Sequence, residues 1–64
     1  HIDLAAGLAA LPTRQRQVIL LRYYKDLTQQ QAAQILRISQ VQVSRIEKKA
    51  LQALAQNMEA DAGK

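Results

Sequence analysis

Two closely spaced helix starts in the middle of the chain constrain its fold more than any other feature. Thr28 is followed three positions later by Gln31, and Ser39 is followed in the same way by Gln42. A hydroxyl residue at the N-cap and a Gln three residues later form a capping box, in which each side chain bonds to the backbone N–H of the other residue. The pattern predicts one helix over about residues 29–36 and another that begins after Ser39.

The connection between the end of the first of these helices and Ser39 is too short for anything except a tight turn at Arg37 and Ile38. We expect the two-turn helix before it to bury small residues, which let the next helix cross closely. The expected buried positions are Ala32, Ala33, and Ile35 or Leu36. With the last helix running to roughly Gln56, the layout predicts a helix-turn-helix at about residues 28–50 and a frayed tail at about residues 57–64.

Two further helices are predicted upstream. Leu4, Leu8 and Leu11 share a helical face that Gly7 interrupts, which predicts a weak helix over residues 3–10. Pro12 is expected in the first turn of the next helix, which runs to about Tyr24. The apolar face of that helix is predicted to contain Val18, Leu21 and Tyr24, widened by Leu20. Together these elements predict an all-α fold, a small bundle of four helices in one domain.

The composition disfavours several classes of protein. The chain has 64 residues, no cysteine and a single histidine, His1. A core of this size is only marginally stable alone, so we expect a segment of a larger protein. Scattered acidic residues and the lack of a Gly-rich phosphate loop predict no catalytic residue, no metal and no cofactor, hence no enzyme. The longest apolar run, residues 18–21, is too short for a bilayer, and we expect a cytoplasmic, nucleoid-associated protein.

Basic residues are concentrated in the middle of the chain. Residues 14–49 contain eight basic residues and two acidic ones, and the sequence pI is about 10.0. The basic residues are Arg14, Arg16, Arg22, Lys25, Arg37, Arg45, Lys48 and Lys49. This balance favours a polyanionic partner, bound with counterion release. Charge alone is weak evidence, because many solvated helical faces are equally basic.

The last predicted helix has two distinct faces. At about 100° per residue, one broad stripe is predicted to form the core face. Its members are Val43, Ile46, Ala50, Leu51 and Leu54. Val41 lies about 160° from Val43, on the same side as Arg45 and Lys48. Gln42 and Lys49 lie toward one flank of that outer side and Ser44 toward the other.

An exposed valine at this position has two interpretations. Isolated apolar residues are common on protein surfaces. On a recognition helix, however, a valine can contact a thymine methyl group, whereas Arg suits guanine O6 and N7 and Gln suits adenine N6 and N7. Glu47 lies at the edge of the core stripe, where we expect a structural role and a pairing with Arg22. Thr28 and Gln29 begin a helix whose free N–H groups suit a phosphate, although capping explains Thr28 equally well.

Three strings in residues 11–54 form one recognisable block: LPTRQRQVILLRYY at 11–24, LTQQQAAQILRIS at 27–39 and SQVQVSRIEKKAL at 39–51. This block resembles region 4 of bacterial RNA polymerase sigma factors. The last string most resembles alternative sigma factors of the sporulation and general-stress type. The resemblance implies recognition of the promoter -35 element in double-stranded DNA and docking on the β-subunit flap of RNA polymerase. Many members of the family carry Gly in the turn where this chain has Arg37, which costs about 1 kcal/mol if the backbone there is left-handed.

The resemblance also implies roles for particular residues. By position, Gln40, Val41, Ser44 and Arg45 match the base-reading positions of the family, and we add Gln42 from the face analysis. The predicted phosphate contacts are Thr28, Gln29, Arg37, Lys48 and Lys49. The flap would contact an apolar groove to which Leu20, Leu21 and Leu27 are candidate contributors, with core packing the favoured role of each.

Two other functions remain open from the sequence. Effector domains of response regulators have a similar helix order, but they usually dimerise, whereas we expect this domain to be monomeric. Their recognition helices are also typically richer in Thr, Lys and His. Alternatively, the chain acts mainly as a protein-interaction domain, held by an anti-sigma factor or by polymerase.

Overall fold

The computed structural model describes the backbone of residues 4–62 and the side chains of residues 7–56. The described backbone is helical apart from short connections, so the predicted all-α fold of four helices is confirmed. Helix α1 spans Leu4–Ala9, and α2 spans Thr13–Ile19 and continues as a π-helical segment, Leu20–Tyr24. Helix α3 spans Gln29–Leu36, and α4 spans Gln40–Ala62. The predicted first helix position, Asp3, lies outside the described residues.

The junction between α1 and α2 differs from the prediction in one detail. Pro12 is the N-cap of α2, with φ −54° and ψ 150°, rather than a residue of its first turn. Its carbonyl accepts the first helical hydrogen bond from Arg16 N–H at 3.0 Å, as an N-cap carbonyl does. Gly7 interrupts the leucine pattern of α1 because α4 passes close by: a Cβ there would lie 3.2 Å from Leu54 Cδ2.

The π-helical segment changes which residues of α2 face the core. Lys25 N–H bonds to the Leu20 carbonyl five residues earlier, which widens the turn beyond α-helical geometry. The spacing of 100° per residue therefore fails here, and the predicted burial of Tyr24 is wrong, since this side chain is 83% exposed. Val18 is buried as predicted, Leu21 packs against the core, and the unpredicted Ile19 is also buried.

The predicted turn between α3 and α4 is confirmed. Arg37 adopts the left-handed conformation, with φ 59° and ψ 43°. Ile38 N–H bonds to the Ala33 carbonyl at 3.0 Å and Arg37 N–H bonds to the Gln34 carbonyl at 3.4 Å. These two bonds form a Schellman motif, which ends α3 and satisfies two of its last carbonyls. The turn therefore accepts a non-glycine residue at a left-handed position.

Two groups of apolar side chains hold the helices together. The first joins α2, α3 and α4 around Val18, Ala32, Ala33 and Val43, with Leu21, Leu36, Ile38 and Ile46 packed against it. The second joins α1 and α2 to the later part of α4 and contains Leu11, Ile19, Ala50, Leu8, Ala53 and Leu54. The first group sets the geometry of the helix-turn-helix, and the second anchors α4 beyond it.

The structure chooses between two alternatives at one apolar position and corrects two other expectations, about Leu51 and about the end of α4. Of the two residues left open, Leu36 packs against the core and Ile35 is exposed. Leu51 is 42% exposed because it lies at the edge of the apolar stripe of α4. Glu47, one turn earlier, is buried. Helix α4 continues to Ala62, past the predicted end near Gln56.

Candidate nucleic-acid interface

The first turns of α4 present a mainly polar surface to solvent. Its side chains are the five predicted base-reading residues, all of which are exposed: Gln40, Val41, Gln42, Ser44 and Arg45. Val41 is 59% exposed, whereas Val43 on the opposite side of the helix is completely buried. The core contacts of Val43 orient α4, so these five residues, the α4 front, point away from the protein.

Basic side chains extend this surface along α4. Lys48 and Lys49 are exposed, and with Arg45 they line a shallow groove that also contains Ile46 and Gln52. Among the described side chains, the one ion pair is between Arg22 and Glu47. The three basic side chains of the groove therefore carry positive charges that no described carboxylate neutralises.

The capping box at Ser39 is fully formed. Gln42 N–H donates to Ser39 Oγ at 3.1 Å, and Ser39 N–H donates to Gln42 Oε1 at 2.9 Å. The Ser39 hydroxyl also donates to Gln42 Oε1, at 3.3 Å. One of the predicted base-reading side chains therefore also stabilises the start of its own helix.

The start of α3 has the same local chemistry. Gln31 N–H donates to Thr28 Oγ1 at 3.1 Å, and Thr28 N–H donates to Gln31 Oε1 at 2.9 Å, so the second capping box is confirmed. Gln29 is half-buried, and its Nε2 donates to Glu47 Oε1 at 3.1 Å. Arg37 is exposed in the turn between α3 and α4. The predicted phosphate contacts therefore lie at the start of α3, in this turn and along α4.

A buried carboxylate joins this surface to the rest of the domain. Glu47 is only 6% exposed, and its Oε1 accepts from Arg22 Nε at 2.9 Å, which confirms the expected pairing. Its Oε2 accepts from Tyr23 Oη at 2.7 Å. Arg22 also donates to the Leu27 carbonyl. Together with the bond from Gln29, the cluster links the π-helical segment, the loop before α3, and α3 itself to α4.

The cluster keeps Glu47 ionised. Burial raises the pKa of Glu47, but the hydrogen bonds from Tyr23, Arg22 and Gln29 and the charge of Arg22 together outweigh it, so that the pKa lies below its usual range. The pKa of Tyr23 is raised, first because its hydroxyl donates to Glu47 and second because of desolvation. The carboxylate is therefore a stable acceptor at neutral pH.

Two members of this cluster, Tyr23 and Gln29, were not predicted to contact Glu47. The sequence offered one indication: an acidic residue within a core stripe requires hydrogen-bond donors from other elements. Which donors reach it depends on the π-helical segment. In that segment, neighbouring residues Arg22 and Tyr23 both reach the same carboxylate, and the Arg22 guanidinium carbon lies 5.7 Å from the centre of the Tyr23 ring.

The three leucines proposed for protein docking differ in their surroundings. Leu21 packs against the core, as favoured by the sequence, and Leu27 is half-buried. Leu20 is 37% exposed, so core packing is not its main role. Tyr24, at the end of the same segment, is also exposed. An apolar and aromatic surface therefore remains open on the π-helical segment.

The described fold defines the class of the protein. A short helix, a tight turn and a longer helix with a solvent-facing first turn form a helix-turn-helix domain. Comparison with known families then identifies the particular one: Sigma-70, region 4 matches residues 7–56. The chain therefore belongs to the sigma-70 region 4 family, as its sequence motifs indicated, rather than to the response-regulator effector domains.

Curated relatives support the same assignment. The chain is 47% identical to the RNA polymerase sigma-F factor of Bacillus subtilis over 58 residues, which are 91% of this chain and 23% of that protein. It is 47% identical to the sigma-F factor of Priestia megaterium over 89% of this chain and 22% of the relative. It is 44% identical to the sigma factor SigF of Mycobacterium tuberculosis over 81% of this chain and 20% of the relative. The chain thus spans about a quarter or less of these relatives.

The structure also bears on membrane insertion. Across the described residues, no helix has both the length and the apolar character that a membrane crossing requires.

Proposed function

We propose that this chain recognises the promoter -35 element as part of a sigma factor of the sporulation and general-stress type. In this role it places RNA polymerase on double-stranded DNA in the cytoplasm, as a monomeric domain that performs no catalysis itself. Family membership supports the role, and the α4 front supports DNA as the direct partner. Gln40, Val41, Gln42, Ser44 and Arg45 are the proposed base-reading residues.

The exposure of Val41 is the single observation that carries the proposal. A valine that is 59% exposed on a helix whose core face is complete contributes little to packing. In the major groove the same side chain can cover a thymine methyl group, while Arg45, one turn later, reaches guanine O6 and N7. The arrangement gives α4 one apolar and one cationic contact on the same outer face.

Five residues are proposed to hold the phosphate backbone. They are Thr28, Gln29, Arg37, Lys48 and Lys49. The first N–H groups of α3 have no partner within the helix, and the helix dipole favours an anion there. Lys48 and Lys49 carry charges without a described counterion, and Arg37 adds another in the turn. Such contacts position α4 without reading sequence.

A protein-docking function is a second proposal. Leu20 and Tyr24 expose apolar and aromatic surface on the π-helical segment. We propose that Leu20, together with the half-buried Leu21 and Leu27, contributes to a contact with the β-subunit flap of polymerase. An anti-sigma factor that covered the same surface would compete with the flap.

The base-reading role is tested by Arg45→Ala in the full-length protein. Selection of bound sequences from promoters with a randomised upstream hexamer should show relaxed specificity at one base pair, with a loss of about 1–3 kcal/mol on the preferred sequence. Lys48→Ala is the matched control: it should weaken binding similarly on all sequences. Equal losses on all sequences for Arg45→Ala would show that Arg45 contacts only the backbone.

A further inference from the structure

Gln42 is a helix cap and an exposed side chain at once. Its Oε1 accepts from Ser39 N–H at 2.9 Å and from Ser39 Oγ at 3.3 Å. A backbone N–H can only donate, so the amide atom that faces it must be the carbonyl oxygen. The cap therefore fixes the orientation of the Gln42 amide.

The capping contacts use the full acceptor capacity of this side chain. A carbonyl oxygen has two lone pairs, and the N–H and the hydroxyl of Ser39 occupy both. The Nε2 group carries two N–H donors, and neither bonds to a described residue. What Gln42 offers to an external partner is thus two donors and no acceptor.

This limitation changes which base the residue can select. A glutamine reads adenine with both ends of its amide, accepting from N6 and donating to N7. Guanine presents two adjacent acceptors in the major groove, O6 and N7. We propose that Gln42 reads DNA only as a donor and selects guanine at one base pair. The inference rests on the proposed function and deepens it.

Other glutamines near the interface do not share this limitation. Gln40 is exposed one residue after the cap, and its side chain makes no hydrogen bond within the described part of the chain, so its amide can read adenine with both ends. Gln31 occupies the equivalent position in the α3 box, where its Oε1 accepts only from Thr28 N–H among the described groups. It therefore provides a matched capping residue outside the α4 front.

The test compares base preferences of the full-length protein assembled with RNA polymerase core. Promoter DNA with a randomised upstream hexamer is selected for binding and sequenced, using wild type, Gln42→Glu, Gln42→Ala and Gln31→Glu. A glutamate keeps the cap with one oxygen and presents the other as an acceptor. We therefore expect Gln42→Glu to change one position from guanine to cytosine, whose N4 donates. Gln42→Ala should reduce the guanine preference about tenfold.

The control and the contrary results separate the possible failures. Gln31→Glu adds the same charge to the matched cap and should leave every base preference unchanged. An adenine preference that disappears in Gln42→Ala would overturn the inference, because the amide would then have left the cap. Unchanged base preferences in both Gln42 variants would also overturn the inference about Gln42. In that case, an effect of Arg45→Ala on base preference would still support the proposed function. If the wild type selects no hexamer, both proposals fail.

Discussion

The two faces of α4 each contain a residue whose polarity opposes its surroundings. Glu47 is an acid within the core, only 6% exposed, and Val41 is a valine in solvent, 59% exposed. Three side chains from α3 and the π-helical segment bond to Glu47, whereas more than half of the surface of Val41 is open to solvent. A residue that departs from the apolar pattern has a structural role when other side chains of the domain bond to it, as they do to Glu47. When no such contacts exist, as for Val41, binding of an external partner is the better explanation.

The largest expected effect is on the inner face. Glu47→Ala should lower the free energy of unfolding by about 3 kcal/mol, because it leaves the part-buried donors of Arg22, Tyr23 and Gln29 without their common acceptor. Urea denaturation of the chain, followed by circular dichroism, measures this loss. Lys48→Ala, one residue further along on the outer side, should change stability by less than about 0.5 kcal/mol. Similar losses of unfolding free energy for the two variants would show that the hydrogen bonds to Glu47 do not set the inner face apart from the outer face.

Two valines provide a sharper comparison of the faces. Val43→Ala should destabilise the domain by about 2 kcal/mol through lost burial and a cavity between α2, α3 and α4. Val41→Ala should leave stability within about 0.5 kcal/mol and instead weaken the preference for one thymine in promoter DNA.

The thymine contact has its own control in the DNA. Replacing that thymine with uracil removes the methyl group, and binding of the wild-type protein should weaken as it does for Val41→Ala. Measurement of all four combinations of protein and DNA by fluorescence anisotropy should show that the two changes are not additive. If uracil has no effect on binding, Val41 is an ordinary surface valine. The two faces of α4 then differ only in how much their residues contribute to stability.

A smaller effect is expected from pH. Because the pKa of Glu47 is lowered in the folded state, its contribution to stability is present above the unfolded pKa and is lost as the pH falls through the folded value. The raised pKa of Tyr23 has the opposite consequence: its contribution is present below the unfolded pKa and is lost as the pH rises through the folded value. A protonated Glu47 still accepts hydrogen bonds, so acid should cost less than Glu47→Ala.

The pH dependence is measured by urea denaturation over acidic and alkaline series. Glu47→Gln, which cannot ionise, should flatten the acid limb, and Tyr23→Phe should flatten the alkaline limb. A wild-type acid limb that persists unchanged in Glu47→Gln would assign the acid sensitivity to other carboxylates.

Much of the helix-turn-helix could be predicted because its boundaries depend on neighbours in sequence. Thr28 bonds to Gln31, Ser39 bonds to Gln42, and the left-handed Arg37 closes α3 through bonds within five residues. The exposed side of α4 was also predictable, since a stripe of apolar residues on one helical face leaves the opposite face to solvent. The roles of individual residues on that face remain predictions for the DNA experiments.

The helix starts, the turn and the outward direction of Val41 and Arg45 follow from the amino-acid sequence alone, because local hydrogen bonds and helical periodicity suffice for these. By contrast, the exposure of Tyr24, the position of Leu51 outside the core and the bond from Gln29 to Glu47 became clear only from the packing of the helices. The first depends on a π-helical turn that alters the residue spacing. The others depend on contacts between helices that are distant in sequence, and no local pattern specifies which side chains meet there.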